Sequence, residues 1–137
     1  MRISALREPP LLLDTHAFAW WLGDPAKLGR AALAAIANRD RAVLVSTASI
    51  WEMATKFRRG RWPEMATIVA DPAGQIAAEG MQELPITLDH ARAAGLLDWG
   101  HGDPFDRMLA AQAQIEGAIL VTADRAFAGL PLAVMWN

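Results

Sequence analysis

The run Leu11-Leu12-Leu13 follows Pro9-Pro10 and stops on a carboxylate and a hydroxyl, Asp14-Thr15. A continuous apolar run without polar alternation belongs to a strand buried on both faces, the kind found in the middle of a parallel sheet. Asp14 then stands at the carboxyl end of that strand, on the edge where open α/β sheets bind ligands. The competing role for Asp14 is the N-cap of the following helix, since Asp is a favoured capping residue.

Two more stretches, residues 42–45 and 119–122, repeat the buried-strand pattern. Residues 83–86 read as a short strand at a sheet edge, because Pro85 cannot donate to a ladder. Residues 132–135 make a last strand. Between these lie helical stretches: 16–22, 27–37, 49–57, 73–79, 88–97, 105–116 and a short one at 125–127. In the third, Ile50, Met53, Ala54 and Phe57 fall at i, i+3, i+4 and i+7. Thr87 is the N-cap expected before residue 88; Asp103 is the cap before the next helix, with Pro104 at its first position and Gly117 at its end. Strands alternating with helices argue an α/β domain whose mainly parallel sheet of about four or five strands is sandwiched by helices. At 137 residues and 53% hydrophobic composition the chain supports one such core, so a single domain over residues 1–137 is expected.

A formal net charge of -2 gives no global attraction to nucleic acid or to an anionic membrane, so any such contact must be local. With no cysteine, disulfides, iron–sulfur clusters and thiolate zinc sites are excluded. Residues 1–10 lack the apolar centre of a signal peptide, and no stretch approaches the roughly 20 apolar residues of a membrane span. A soluble cytoplasmic domain without membrane contact is the expectation.

Two buried strands each lead into an acid, Asp14 and Asp124, on the same nominal edge of the sheet. Asp103 and Asp106 open a helix that starts at that edge, and Glu52 lies in the first turns of another. Carboxylates packed together repel one another, which raises their pKa or demands a cation. A hard, oxygen-liking ion such as Mg²⁺ or Mn²⁺ resolves the conflict and is the usual agent for attacking a phosphodiester. Thr15 and Ser46 are placed to orient carboxylates or the scissile phosphate. Each acid also has a structural role to set against this. Ser49-Ile50-Trp51-Glu52 matches a capping box, Asp103 caps its helix, Asp106 complements the helix dipole or pairs with Arg107, and Asp124 is a turn residue.

His16, His90 and His101 lack zinc-ligand spacing and read as structural, with His101, in the loop before Asp103, the best placed to contact substrate. Lys56, Arg58, Arg59 and Arg61 form a basic run at a helix end. Such a run is usually just solvated, but beside an acidic phosphodiester site it would hold an RNA backbone by charge. Trp20 and Trp21 cannot both enter one core, so one is expected to lie at an interface or partly exposed.

The stretches Leu12-Leu13-Asp14-Thr15-His16, Ser46-Thr47-Ala48-Ser49-Ile50-Trp51-Glu52, Leu84-Pro85-Ile86, His101-Gly102-Asp103-Pro104-Phe105-Asp106-Arg107 and Leu120-Val121-Thr122-Ala123-Asp124, in this order, resemble the PIN-domain ribonucleases, and closely the VapC toxins of type II toxin–antitoxin pairs. The resemblance implies an α/β/α sandwich, a Mg²⁺ or Mn²⁺ cofactor, cleavage of structured RNA such as tRNA or rRNA, inhibition by a VapB-like antitoxin, and homodimerisation. By position its acidic quartet is Asp14, Glu52, Asp106 and Asp124. Asp106 is preferred to Asp103 because it leads into Leu109, Ala110 and Ala113, the apolar pattern that follows the third acid in the family. Asp14, Asp106 and Asp124 are then the metal ligands, and Glu52 positions or deprotonates the attacking water. A non-catalytic PIN-like module that binds a protein or RNA is the alternative, against which retention of all four acids argues. An aspartyl phosphotransfer enzyme is disfavoured, because Asp14-Thr15-His16 has neither a second Asp nor a nearby Lys.

Overall fold

The computed structural model describes residues 8–137. The expectation of no signal peptide falls largely on residues 1–7, outside the described residues. Five strands, β1 (Leu11–Leu13), β2 (Val43–Ser46), β3 (Gln82–Leu84), β4 (Ile119–Val121) and β5 (Val134–Met135), form one sheet in the order β3-β2-β1-β4-β5, with every pairing parallel. β1 is the central strand, and its three leucines are 0% exposed. Leu12 stands opposite Leu44 on one side and Leu120 on the other.

Because side chains alternate along a strand, the three central strands feed two cores. Leu11, Leu13, Val43, Val45 and Val121 pack with Phe18, Ile36, Met53 and Ile76. Those partners come from α1 (Thr15–Gly23), α2 (Arg30–Ala37), α3 (Thr47–Arg58) and α5 (Pro72–Ala78), with α4 (Ala66–Ala70) adding Ile68. Leu12, Leu44 and Leu120 face the other way, onto Leu109, Ala113 and Phe127. Here the cover is α7 (Pro104–Glu116), against which α6 (Leu88–Leu96) packs. The result is the expected α/β/α sandwich. Each fully buried leucine contributes about 1.5–3 kcal/mol of transfer free energy.

Several boundaries move for identifiable reasons. The second strand runs to Ser46 rather than stopping at Val45, and Ser46 Oγ then accepts the Ala48 amide at 3.0 Å, so α3 begins at Thr47 instead of Ser49. The third strand ends at Leu84, before Pro85, and is the sheet edge as expected. The stretch expected as helix from Lys27 splits into a 3₁₀ turn, Pro25–Lys27, and α2, which starts beyond Gly29. The last strand shortens to Val134–Met135. Trp20 and Trp21 are both half-buried at the margin of the first core, and Trp21 Nε1 donates to Glu79 Oε1 at 2.7 Å. α7 opens and closes as read: Asp103 caps it, Pro104 occupies its first position, and Gly117 ends it at φ 62, where a residue without Cβ is favoured.

Candidate active site

β1 and β4 are neighbours, so the residues that follow them emerge together at the carboxyl edge. The Asp14 amide donates to the Val121 carbonyl at 3.0 Å, which continues the β1–β4 ladder one step beyond the strands. Asp14 also caps α1, with its Oδ1 accepting the Ala17 amide at 2.8 Å. The capping role and a role at the sheet edge are therefore compatible, because the cap uses one carboxylate oxygen. Burial pushes the Asp14 carboxyl above its ordinary range, and the charge of Asp106 adds to the push. The Ala17 amide, the Thr122 hydroxyl and the charge of His16 act against it. Asp106 is pushed up as well, first by burial and then by Asp103 and Glu52, against a hydrogen bond and favourable charge from His101. These mutual influences place Asp14, Glu52, Asp103 and Asp106 in one electrostatic neighbourhood.

Glu52 is 8% exposed despite its charge. It does not serve a capping box, because Ser46 and not Ser49 caps α3. Instead the Thr15 hydroxyl donates to Glu52 Oε1 at 2.6 Å, and Lys56 Nζ donates to Oε2 at 2.7 Å. Thr15 Oγ1 and Ser49 Oγ lie 3.0 Å apart and share a further hydrogen bond. Thr15 thus holds a carboxylate oxygen. Ser46 is wholly buried and accepts the Ala48 amide in the α3 cap. Ser49, placed by sequence in a capping box, instead bonds the Thr15 hydroxyl that holds Glu52, and its i−3 spacing from Glu52 puts both on one helical face. Thr122, placed by sequence at the end of a strand, accepts the Asp124 amide on Oγ1 at 3.0 Å, and its hydroxyl acts to lower the Asp14 pKa.

Asp103 Oδ1 accepts the amides of Phe105 and Asp106 at 2.9 and 3.0 Å, which is the expected cap. Asp106 is left free for another partner and receives His101 Nε2 on Oδ2 at 2.7 Å. It forms no surface pair with Arg107, whose guanidinium turns to backbone carbonyls. His90 is buried between α6 and α7, where it accepts the Thr87 amide on Nδ1 and donates from Nε2 to Glu116. Asp124 is exposed, caps the 3₁₀ turn Arg125–Gly129 through the Ala126 amide at 2.9 Å, and is not among the charges acting on Asp14 or Asp106. Of the basic run, Lys56 reaches an acid; Arg58, Arg59 and Arg61 are exposed.

Among the described residues no three acidic or histidine side chains converge tightly enough to hold an ion by themselves. The donor set nevertheless fits a hard divalent cation. It consists of carboxylate oxygens whose charges repel and are pushed towards protonation by burial, and Mg²⁺ is commonly held by one or two carboxylates with water and substrate oxygens completing its shell.

Residues 11–131 match the PIN domain family. Ribonuclease VapC22 of Mycobacterium tuberculosis (strain ATCC 25618 / H37Rv) is 35% identical over 116 residues, which is 84% of this chain and 87% of that protein. VapBC2 from Rickettsia felis, bound to a DNA fragment from its promoter, superposes with a TM-score of 0.66 at 16% identity, covering 93% of this chain and 98% of that one. Mycobacterium tuberculosis VapC20, a sarcin-ricin loop cleaving toxin, superposes with a TM-score of 0.63 at 16% identity, covering 93% of this chain and 99% of that one. At that identity the two structures speak to the fold, which is the same sandwich. The family match over most of the chain and the 35% identical relative carry the conclusion that the chain belongs to the PIN-domain family, as a VapC-like member.

Proposed function

We propose that the protein is a VapC-type endoribonuclease that uses Mg²⁺ or Mn²⁺ to cleave structured RNA of the tRNA or rRNA class in the cytoplasm, and that a VapB-like antitoxin restrains it. The observation that carries the reading is the pair Asp14 and Asp106, two carboxylates raised by burial at the carboxyl edge of a parallel sheet, with a third, Glu52, beside them. The 35% identity to a ribonuclease supports the same class of reaction.

Asp14 and Asp106 would hold the ion, with Asp124 completing the set after a movement of its exposed turn. A bound divalent ion supplies Lewis acidity towards the phosphoryl oxygens and makes water easier to deprotonate. Glu52 orients the attacking water and takes its proton. Its two oxygens are fixed by Thr15 and Lys56, and each retains a lone pair for that purpose. The Lys56 ammonium also sets a positive charge 2.7 Å from Glu52 Oε2. Arg58, Arg59 and Arg61 meet the RNA backbone, and His101, 35% exposed at its side chain, borders the substrate while it fixes Asp106.

Homodimerisation is supported by an apolar face formed by α3, α6 and the start of α7. Trp51, 59% exposed, lines there a cleft of about 210 Å³ with Ala48, Ile86, Phe105 and Met108. Exposed apolar surface of this kind marks association sites. Light scattering of wild type and of Trp51→Glu tests it: a dimer that becomes monomeric on substitution supports the reading, and an unchanged mass opposes it.

The decisive experiment incubates purified protein with total RNA and maps the new ends, with Mg²⁺, with chelator, and with Asp14→Asn. Cleavage that needs the ion and is lost in Asp14→Asn supports the reading. Equal cleavage in all three arms overturns it. No divalent-ion binding by calorimetry and no growth arrest on expression would instead mark a non-catalytic PIN-like module.

A further inference from the structure

Arg107 follows Asp106 in the first turn of α7, yet among the described residues it forms no ion pair. Its Nε donates to the Ala94 carbonyl at 3.1 Å, Nη2 to Leu97 at 2.7 Å, and Nη1 to Trp99 at 2.7 Å and to His101 at 3.1 Å. The first two carbonyls close the C-terminal end of α6, where helix carbonyls lack partners of their own. The other two belong to the loop between α6 and α7. A planar guanidinium with several donors in fixed directions serves such a set; a single ammonium cannot reach it all.

What the loop carries is His101. That residue stands between Gly100 and Gly102, and a Cβ at either glycine would meet nothing within 4 Å. Each flank therefore has open space where a side chain would stand, and glycine backbone loses more freedom on ordering than any other. Three contacts supply the order: Arg107 on the His101 carbonyl, the Trp99 ring 4.7 Å from the imidazole centroid, and the imidazole Nε2 on Asp106 Oδ2 at 2.7 Å. Trp99 is itself held twice, by Arg107 at its carbonyl and by Phe127 at 5.4 Å between ring centroids.

We infer that Arg107 is a positioning residue for the acidic centre: it clamps the 97–101 backbone so that His101 is presented to Asp106 and Asp106 is held in one orientation. Asp106 and Arg107 are adjacent in one helical turn, so the carboxylate and the loop that braces it share a rigid base. The consequence for ion binding rests on the function proposed above; the clamp itself does not. Substitution of a residue that orients a metal-binding side chain costs about 10–100-fold in metal affinity or activity.

The test compares full-length wild type with Arg107→Lys, Arg107→Met and His101→Ala. Circular dichroism checks the fold, proton NMR follows the His101 Nε2–H signal without metal, and calorimetry follows Mg²⁺ binding. Arg107→Lys keeps charge and stem, and it remains the measured variant if Arg107→Met fails to fold. The expected result is a folded Arg107→Lys protein in which the His101 signal is lost to exchange and Mg²⁺ binds at least about tenfold more weakly. His101→Ala should weaken binding to a similar degree, and the double variant should be no worse than either single one. A His101 signal that persists in Arg107→Lys overturns the inference, as does additivity of the two substitutions. Wild type that binds no divalent ion overturns the proposed function, while the His101 signal still decides the role of Arg107.

Discussion

Thr15 Oγ1 donates to Glu52 Oε1 at 2.6 Å, joining the first residue of α1 to the middle of α3 across 37 positions of sequence. Both groups are buried, so a polar atom there left without its partner is costly. Thr15→Val keeps the shape and removes the donor, leaving Glu52 Oε1 and Ser49 Oγ short of a partner. A loss of about 1–3 kcal/mol in stability is expected from the unpaired groups, with slower cleavage as Glu52 loses its fixed orientation. Denaturant titration and single-turnover cleavage read the two effects. An unchanged stability would mean that the bond is replaced at no cost.

The raised Asp14 carboxyl makes the stability of the metal-free protein depend on pH in a particular direction. A group that holds its proton more tightly when folded than when unfolded favours folding below its unfolded pKa, near the reference 3.8, and loses that advantage as pH rises through the folded value. Metal-free wild type should therefore be less stable at pH 7 than at the upper edge of the acid range, as far as Asp14 and Asp106 are concerned. Asp14→Asn cannot ionise and still caps α1, because Asn is as good a cap as Asp. It should melt higher than wild type at pH 7 without metal, with the difference shrinking as pH falls towards 4. Thermal melts across that range decide the matter, and an Asn variant that melts lower at pH 7 would oppose it.

Added Mg²⁺ should reverse that order. A ligand that binds only the folded state stabilises it by mass action, about 2.7 kcal/mol at a hundredfold excess over Kd. Wild type should gain melting temperature with Mg²⁺ at pH 7 while Asp14→Asn gains little. Equal gains in both proteins would remove Asp14 from the ion site.

The exposed arginines at the end of α3 predict a salt effect. Arg59→Ala in a cleavage-deficient Asp14→Asn background should weaken RNA binding to a similar extent across sequences and lower the slope of log K against log salt by about 1. Filter binding at several salt concentrations measures this. An unchanged slope would place the RNA elsewhere.

Leu12, 0% exposed at the centre of the sheet, is a control on the fold. Leu12→Ala should cost about 2–5 kcal/mol through lost transfer energy and the cavity left behind. The cleavage rate per folded molecule should change far less than in Asp14→Asn, because the leucine faces α7 rather than the carboxyl edge.

The sandwich and its acidic edge were legible because they follow from short-range patterns. Leu11–Leu13 and Ile119–Val121 are strands on apolar continuity alone, and Asp103-Pro104 with Gly117 marks the ends of α7 through backbone preferences of those residue types. Local signals leave an element end open by a residue or two: Ser49 has the capping-box pattern, but β2 extends to Ser46, which caps α3 instead.

The sequence by itself determined which residues could be strands, helices and carboxyl-edge acids, because these depend on periodicity and on the conformational preferences of neighbours. Tertiary structure decided which side chains meet. It gave Glu52 to Thr15 and Lys56 rather than to a capping box, joined Ser49 to Thr15, gave Asp106 to His101, and sent Arg107 to four carbonyls of the α6 end and the loop after it. The physical reason is that such contacts depend on strand register and helix packing, which are set by the whole core and leave no mark at the residues concerned.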